Sequence, residues 1–410
     1  MKFLRLYYSN TYRFAVVAAT AALIFASIVV RTPVTAYAYP SNGSTPMVAS
    51  EQKIDDVSSG ACVSLSRCFL VGNDFKGGAL MLVSTNEGAN WQDVTLPNSP
   101  NPTASGFVKI ICQSSDNCVA LGWSLVPVSP SEEIAEQFIL ATTDGGTTWS
   151  KSSLPSSYTE SGSMNDVSCI SSSDCMVVAE SDTTTGSFPI IVTTDAGLTW
   201  HYSGLPGPSN AYPQTSLGCE LNSELCVTAG FIAGIKPSVD GLSPTTNYGT
   251  SWNKAADVTA GLNVTSIGCF TSGECLVTGY TNTDNGVIIT SSDKGSSWHI
   301  SDVVAPANSN IILRGLACLD SRNCVTVGYM FNSSGAATVI ARSTDSGQSW
   351  QRATLPSSQK DFTLTGVTKV PSSSEYMAYA TQRMAPLQNN QGTLWSSNKG
   401  STWTYRPITY

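Results

Sequence analysis

Short runs of apolar and β-branched residues, bounded by Ser, Thr, Gly and Asn, recur along most of the chain. The segment 164–205 shows the pattern clearly and predicts four short antiparallel strands. These strands are expected at Asn165–Ile170, Cys175–Glu180, Pro189–Thr194 and Thr199–Ser203. Aligned apolar pairs recur at the third strand, as in Ile139-Leu140, Ile190-Ile191 and Val287-Ile288. We expect these positions to form a core between neighbouring repeats.

An eight-residue stretch with the pattern S/T-x-D/N-x-G-x-x-W occurs seven times, most clearly from Thr142 to Trp149. The copies end at Trp91, Trp149, Trp200, Trp252, Trp298, Trp350 and Trp403, and so recur about every 50 residues. A fixed period of this length in a β-type sequence is typical of repeat architectures. Four antiparallel strands in each of seven units predict an all-β fold, a seven-bladed β-propeller with four-stranded antiparallel blades. A β-helix fits less well, because its coils are shorter and its strands are parallel.

We call this eight-residue stretch the repeated turn. Its acidic or amide position is best explained by turn formation. Asp and Asn side chains accept hydrogen bonds from backbone N–H groups that follow them, and the Gly two residues later supplies a positive φ. A metal or catalytic carboxylate is the alternative, but seven equivalent copies cannot all be one active site. The positions are Asn86, Asp144, Asp195, Asn247, Asp293, Asp345 and Asn398.

The repeated turn resembles the Asp-box, or BNR repeat, of β-propellers. Sialidases, xyloglucan-cleaving glycosidases, sortilin-type receptors and photosystem II stability/assembly factors carry this repeat. Leu-Pro follows the Trp by about five residues at Leu154-Pro155, Leu205-Pro206 and Leu355-Pro356, and this longer form is most similar to the assembly-factor type. The resemblance covers nearly all of the chain after residue 55. It implies the propeller fold and, for the assembly-factor type, an exported or lumenal binding protein.

The twelve cysteines fall into six local pairs, one near the start of each of the first six repeats. Turn-forming residues separate the two members of each pair, and β-type residues flank them, so each pair is predicted to form a disulfide across a hairpin between strands one and two. Zinc is the alternative, but a structural site needs four converging N or S ligands, and no His accompanies the pairs. Val370 and Tyr376 stand at the cysteine positions of the seventh repeat. The predicted pairs are Cys62 with Cys68, Cys112 with Cys118, Cys169 with Cys175, Cys219 with Cys226, Cys269 with Cys275, and Cys318 with Cys324.

The N-terminus predicts export. Basic residues precede an apolar run from Phe14 to Val30, and Ala36-Tyr37-Ala38 provides a cleavage site, which is typical of a signal peptide. We therefore divide the chain into a signal peptide or uncleaved anchor at 1–38, a linker at 39–55 and the propeller at 56–410, secreted or held at the cell surface. Removing residues 1–38 takes away four basic residues and no acidic one, and changes the formal charge from −8 to −12. Such acidity disfavours nucleic acid and anionic membranes as partners.

The candidate binding face lies opposite the repeated turns. The cysteine hairpins and the repeated turns connect alternate strand ends, so both lie on one face, and the variable loops lie on the other. Binding residues concentrate on such loops. Strand two ends there in Gly plus an aromatic residue in four repeats, and these aromatic side chains could stack on a sugar or clamp a peptide, although packing between blades is the alternative. The candidates are Trp123, Phe231, Tyr280 and Tyr329, together with Glu180 at the equivalent position of the third repeat.

Catalytic chemistry is less well supported. Sialidases hold a carboxylate with three Arg residues, and no such triad can be assembled from the seven Arg residues after position 38. A glycosidase needs two carboxylates across the bond, and no spacing pairs the acids expected on this face, which are Glu132, Glu133, Glu136, Glu180 and Asp240. The sequence therefore favours a monomeric, non-enzymatic propeller without a cofactor or metal that binds a protein or glycan ligand. A glycoside hydrolase is the alternative.

Overall fold

In the computed structural model, seven four-stranded antiparallel sheets follow one another along the chain, which confirms the predicted propeller. Ser50–Tyr410 form one compact unit. The structure describes residues 54–97, 104–129, 132–155, 163–179, 190–203, 214–231, 240–253, 256–257, 262–270, 273–302, 309–332, 335–355, 362–383 and 391–410. The predicted signal segment and nearly all of the linker lie outside these ranges. Among the described residues, no helix is long and apolar enough to cross a membrane.

The sheets are numbered as blades 1 to 7 in chain order. Blades 1 to 4 contain β1 (Ile54–Cys62), β2 (Cys68–Asp74), β3 (Ala79–Ser84), β4 (Gln92–Asp93), β5 (Ser105–Cys112), β6 (Cys118–Ser129), β7 (Glu132–Thr142), β8 (Ser150–Lys151), β9 (Met164–Cys169), β10 (Cys175–Ala179), β11 (Ile190–Thr193), β12 (His201–Tyr202), β13 (Gln214–Cys219), β14 (Cys226–Phe231), β15 (Asp240–Thr245) and β16 (Ala256–Asp257). Blades 5 to 7 contain β17 (Leu262–Phe270), β18 (Glu274–Thr281), β19 (Gly286–Ser291), β20 (His299–Asp302), β21 (Asn310–Cys318), β22 (Cys324–Asn332), β23 (Gly335–Ser343), β24 (Gln351–Arg352), β25 (Phe362–Lys369), β26 (Tyr376–Arg383), β27 (Gly392–Ser396) and β28 (Thr404–Pro407).

Strand order fixes which strands surround the central channel. Each blade pairs its own first to fourth strands in sequence, with no exchange between blades among the described strands. The first strands of successive blades contact one another all the way around the ring, so they are innermost. The fourth strands are short, from two to four residues, and lie at the rim. Short edge strands limit pairing with other chains.

Both faces of each blade are apolar, because each is covered by a neighbouring blade. In blade 2, Leu121 and Ile139 pack with Val167 of blade 3. The adjacent Ala120 packs with Phe69 of blade 1. Successive side chains of a strand point to opposite faces, and here both faces are buried. This explains why the central strands read as continuous apolar runs in the sequence.

Blade 7 closes the ring against blade 1 by packing and hydrogen bonds. Val57 and Trp91 of blade 1 share a core cluster with Tyr379 of blade 7. The Trp91 backbone N–H donates to the Thr409 carbonyl oxygen at 2.8 Å. The sequence offers the short run Met47–Ala49 as a candidate for an added strand at this seam, and that run lies outside the described residues. Among the described strands, closure needs no shared sheet.

Six disulfides confirm the predicted cysteine pairs, with one in each of blades 1 to 6. The Cα atoms of the bonded residues are 3.9 to 4.1 Å apart. Closing so short a loop stabilises the fold by about 2 kcal/mol per bond in the chain-entropy account. Disulfides of this number are typical of proteins that fold in oxidising compartments. The bonds join Cys62 to Cys68, Cys112 to Cys118, Cys169 to Cys175, Cys219 to Cys226, Cys269 to Cys275, and Cys318 to Cys324.

Blade 5 departs from the other disulfide blades in where its hairpin ends. In the other five, the bonded cysteines are the last residue of strand one and the first residue of strand two. In blade 5, Cys275 is the second residue of β18, because the strand pairing continues past the Cys269↔Cys275 pair to Phe270↔Glu274. The disulfide of Cys275 is therefore as predicted, but it lies one residue inside the hairpin rather than at its end.

In blade 7, one residue expected at a cysteine-equivalent position is wrong. Val370 was expected opposite Tyr376, but Lys369 occupies that position. The error is one residue, because this hairpin has the longer spacing that also occurs in blade 4. Tyr376 is fully buried, and its hydroxyl donates to the Asn323 carbonyl oxygen of blade 6 at 2.7 Å. A hydrogen bond between blades therefore holds this hairpin where the other blades have a disulfide.

In every blade, the hydroxyl that begins the repeated turn donates to the Asp or Asn side chain and accepts the N–H of the Gly. In blade 2, the Thr142 hydroxyl donates to Asp144 Oδ1 at 2.8 Å and accepts the Gly146 N–H at 2.9 Å. Asp144 also accepts the hydroxyl and the N–H of Thr148. These bonds, led by that of the Thr148 hydroxyl, lower the pKa of Asp144 to about 2. The recurring hydroxyl and acidic or amide positions of the pattern are thus explained by turn closure.

Two successive residues of the repeated turn have positive φ, where the sequence predicted only one. The residue before the Gly also adopts this conformation, as in Ala196 (φ 62°) and Tyr248 (φ 50°). Its backbone N–H donates to the hairpin between strands one and two of the same blade, as from Ala196 to the Ser173 carbonyl oxygen at 2.9 Å. The same bond occurs in all seven blades. It places the hairpins and the repeated turns on one face.

A glycine pair in blade 2 tests this geometry. Gly146 has φ 79°, and a Cβ there would overlap the Phe69 ring. We expect Gly146→Ala to destabilise the protein by about 2–4 kcal/mol, from left-handed strain plus overpacking. Gly145→Ala is the matched control, because the other blades have side chains at this position with positive φ, and we expect it to cost only the left-handed strain of about 1–2 kcal/mol. Urea unfolding measures both, and equal losses would contradict this account of the turn.

Candidate functional site

The channel wall has a recurring β-bulge in the first strand of every blade, always four residues before the cysteine position. Both faces of each blade are covered, so solvent reaches these inner residues through the channel. All seven bulged side chains are half-buried or exposed. Bulges commonly redirect side chains near functional sites. The bulged residues are Ser58, Val108, Asn165, Thr215, Thr265, Arg314 and Thr365.

The bulges explain the glycine near the end of strand two, which precedes the aromatic candidates. Gly72, Gly279 and Gly328 pair with the residue just before the bulge of their blade. A Cβ on any of them would overlap a carbonyl oxygen of the first strand. Glycine inside a strand commonly marks a bulge or a close backbone approach. The glycine before the aromatic candidates is therefore the signal in the sequence for the bulged first strands.

The aromatic candidates occupy equivalent positions on different blades. Trp123 pairs with Gly106 and Gln137 in blade 2. Tyr280 and Tyr329 lie at the matching places in blades 5 and 6. All three are half-buried, so each combines packing with an accessible surface.

The two remaining candidates are described less fully. Phe231 ends β14 in register with Asp240, although its side chain is not described. Glu180 lies outside the described residues, and so its predicted place at the channel mouth remains an expectation.

Blade 6 gathers a cation and two aromatic rings at this end of the channel. The Arg314 guanidinium carbon lies 5.7 Å from the centroid of the Tyr329 ring, within the range of a cation–π interaction. An Arg314 Nη atom is 3.5 Å from the Tyr329 hydroxyl. The Tyr329 and Phe331 ring centroids are 6.2 Å apart. The bulge that displaces Arg314 from the regular strand places it beside these rings.

Lys109 and Asp166 form an ion pair on the innermost strands, and Asp166 also bonds a third blade. The spacing of residues in the sequence did not predict this contact. Lys109 Nζ of blade 2 lies 3.0 Å from Asp166 Oδ1 of blade 3, and the Asp166 side chain is only 7% exposed. Asp166 Oδ2 accepts the Leu217 N–H of blade 4 at 3.1 Å. Burial alone would lower the pKa of Lys109, but Asp166 and Tyr379 raise it above its ordinary value. Lys109 therefore stays charged, and its contact with Asp166 joins the first strands of blades 2 and 3.

A carboxyl group with a raised pKa lies at the start of the innermost strand of blade 1. Burial, with a further contribution from Asp55, raises the pKa of Asp56 from 3.8 to about 6. Asp56 Oδ1 is buried and has no hydrogen-bond partner among the described residues. The nearby Asp74 is used in turn formation, since it accepts the N–H groups of Lys76 and Gly78. Sequence reasoning missed Asp56, because nothing local reveals its burial.

Of the five acids named from the sequence, the structure describes the side chains of Glu133 and Glu136 alone. Glu136 forms an ion pair with Lys151 at 2.9 Å, and Glu133 is exposed. The side chains of Glu132 and Asp240 are not described. Within the described ranges, no group of three His, Cys, Asp or Glu residues is placed to bind a metal ion.

Comparisons with known proteins place the chain in a common fold. No protein-family model and no curated protein matches it. A solved structure of YCF48 bound to a D1 peptide aligns with a TM-score of 0.50 and 16% identity, covering 88% of this chain and 96% of that one. A polysaccharide lyase, an ulvan lyase bound to -[GlcA(1-4)Rha3S]-, aligns with a TM-score of 0.55 and 9% identity, covering 87% and 96%. At these identities the likeness concerns the fold alone.

The raised pKa of Asp56 makes stability depend on pH in a predictable direction. The folded state keeps this proton up to about pH 6, whereas the unfolded chain loses it near about pH 4. Stability therefore falls as the pH rises between these values. We expect Asp56→Asn to be more stable than wild type by on the order of 2 kcal/mol at about pH 7, with the difference vanishing near about pH 3. Urea unfolding of both proteins across this pH range measures it, and a difference independent of pH would contradict this assignment.

Proposed function

We propose that this chain is an exported, non-enzymatic propeller that binds a protein or glycan ligand at the channel mouth, on the face opposite the repeated turns. One observation carries the proposal. Half-buried aromatic side chains occupy the same position in blades 2, 5 and 6, directly after the glycines that accommodate the bulged ring. Their rings can stack on a sugar or on apolar side chains of a peptide. The bulged residues Thr265 and Arg314, in the same blades as Tyr280 and Tyr329, add polar groups to this site.

The rigidity of the frame supports binding. Side chains fixed by a sheet lose little conformational freedom when a ligand binds. Six disulfides and the backbone bonds between hairpins and repeated turns hold each blade in shape. YCF48, which aligns over most of its length with this chain, was solved with a D1 peptide. That observation supports a protein ligand by analogy of fold.

Export and a role in assembly belong to the same proposal. The disulfides require an oxidising environment, and residues 1–38 have the layout of a signal segment. We propose secretion, or attachment at the cell surface if that segment is not cleaved. An assembly function of the photosystem II factor type follows only from the resemblance of the repeated turn and of the Leu-Pro that follows it.

A glycoside hydrolase is the second candidate function, and Asp56 favours it. A carboxyl group with a pKa of about 6 still carries its proton in weakly acidic solution, where an ordinary aspartate has lost it, as a general acid must. The hydrolase hypothesis also needs a second carboxylate across the scissile bond. Asp55 is the adjacent acid in this structure.

The binding proposal is tested by removing the aromatic rings together. The variant Trp123→Ala/Tyr280→Ala/Tyr329→Ala is compared with wild type on a glycan array and in a pull-down whose bound proteins are quantified. We expect at least about tenfold loss of the ligands that wild type retains, since each ring contributes about 1 kcal/mol or more. Tyr202→Ala is the control, because Tyr202 is exposed on the outer strand β12.

Two results would count against the binding proposal. Unchanged retention by the triple variant would exclude these rings as the site. Hydrolysis of any glycan by wild type, abolished in Asp56→Asn, would replace the binding proposal with the hydrolase.

A further inference from the structure

The hairpin of blade 2 extends beyond the rest of its sheet. β6 and β7 are the longest described strands, with 12 and 11 residues, and they pair from Cys118↔Thr142 to Ser129↔Glu132. The pairing of β5 with β6 ends at Ser105↔Ser124, and β8 reaches only Leu140 and Ala141. Residues 125–129 and 132–136 thus form a two-stranded ribbon, the blade 2 ribbon. It projects from the face proposed to bind the ligand.

The two edges of the blade 2 ribbon differ in their hydrogen-bonding capacity. On β6, the Leu125 N–H points toward the first strand and donates to the Ala104 carbonyl oxygen at 2.8 Å. The next backbone group on that side belongs to Pro127, which has no N–H. Proline on an edge strand blocks the addition of a further strand. The β6 edge is therefore closed to a partner.

The β7 edge has no such block. The Ile139 carbonyl oxygen accepts the Ser152 N–H of the fourth-strand side at 2.9 Å. Backbone groups alternate along a strand, so those of Gln137, Ala135 and Glu133 point the same way. No described residue pairs with Ala135 or Glu133 on this side. These residues offer N–H and carbonyl groups in the spacing of a sheet edge.

The charge of the ribbon indicates which kind of strand fits. Glu132, Glu133 and Glu136 lie on or beside the β7 edge, and residues 124–137 contain no Lys or Arg. Lys151 on β8 forms an ion pair with Glu136 at 2.9 Å. A lysine on the neighbouring strand therefore already neutralises the charge of one of these three glutamates. A cross-strand pair of opposite charges is favourable, whereas like charges repel. The partner strand should therefore carry basic side chains.

We propose that the outer edge of β7, residues 133–137, binds an extended segment of a partner protein that bears Lys or Arg at alternate positions and adds to blade 2 as a strand. Main-chain hydrogen bonds give such β-augmentation its affinity, and alternate side chains give it specificity. This inference rests on the proposed function and names its ligand class and one contact surface. If the glutamates only protect a bare edge from aggregation, the test below shows no such binding.

The test uses a blocked peptide, Lys-Thr-Lys-Val-Lys-Thr-Lys, and its counterpart with Glu in place of Lys, with binding followed by fluorescence anisotropy. Wild type should bind the basic peptide and not the acidic one, and more weakly at higher salt. Ala135→Pro removes one outward N–H and leaves the bonds to β6 intact. We expect it to weaken binding at least about tenfold. Ala135→Val is the matched control, since it adds similar bulk and keeps the N–H, and should stay within about twofold.

Several results would overturn this inference. Equal affinity of Ala135→Pro and Ala135→Val would show that charge alone attracts the peptide, and equal binding of both peptides, or of neither, would exclude a basic strand. Should Ala135→Pro fail to fold, the wild-type protein is tested with basic peptides N-methylated at odd or at even positions. Only one of the two sets should lose binding, and equal losses would contradict strand addition.

These outcomes are separate from those of the channel-mouth proposal. If the triple aromatic variant loses its ligands while the basic peptide never binds, the proposed function stands and the strand-addition inference fails. If the peptide binds through β7 while the aromatic substitutions have no effect, the strand site stands and the channel-mouth site fails.

Discussion

A sheet with two apolar faces cannot bury both by itself, and this constraint organises the whole molecule. Neighbouring residues such as Ala120 and Leu121 serve opposite interfaces, so every blade needs a blade on each side. Only a closed ring satisfies all seven. The seam between blades 7 and 1 obeys the same rule without sharing a sheet among the described strands, since Trp91 and Trp395 are buried there in one cluster.

Closing the ring brings the seven first strands together around the central channel, where the candidate site lies. The backbones there must pass close to their partners, and the glycines of strand two permit this where a side chain would collide. A bulge in each first strand then displaces one residue per blade from the regular pleat. The bulges and the glycines before the aromatic candidates thus both follow from how the first two strands of each blade meet. The ion pair of Lys109 with Asp166 joins the first strands of two blades in the same region.

Features that depend on short sequence spacing could be predicted, and features that depend on contacts between blades could not. The period of the repeated turn gave the blade number, and the cysteine spacing gave all six hairpin bonds. Lys109 and Asp166 belong to different blades, so no local pattern pairs them. The burial of Asp56 and the hydrogen bond of Tyr376 to blade 6 likewise arise only on assembly. The second positive φ of the repeated turn was hidden because residues as different as Ala196 and Tyr248 adopt it.

Hydrogen–deuterium exchange of the protein with and without the ligand that it retains tests the central claim most directly. That claim is that ligands bind at the channel mouth, on the face away from the repeated turns. The account predicts slower exchange on binding at the ends of the second strands, near Trp123, Tyr280 and Tyr329, with no change at the repeated turns. Slower exchange confined to the repeated turns, around Asp144 and its equivalents, would contradict it.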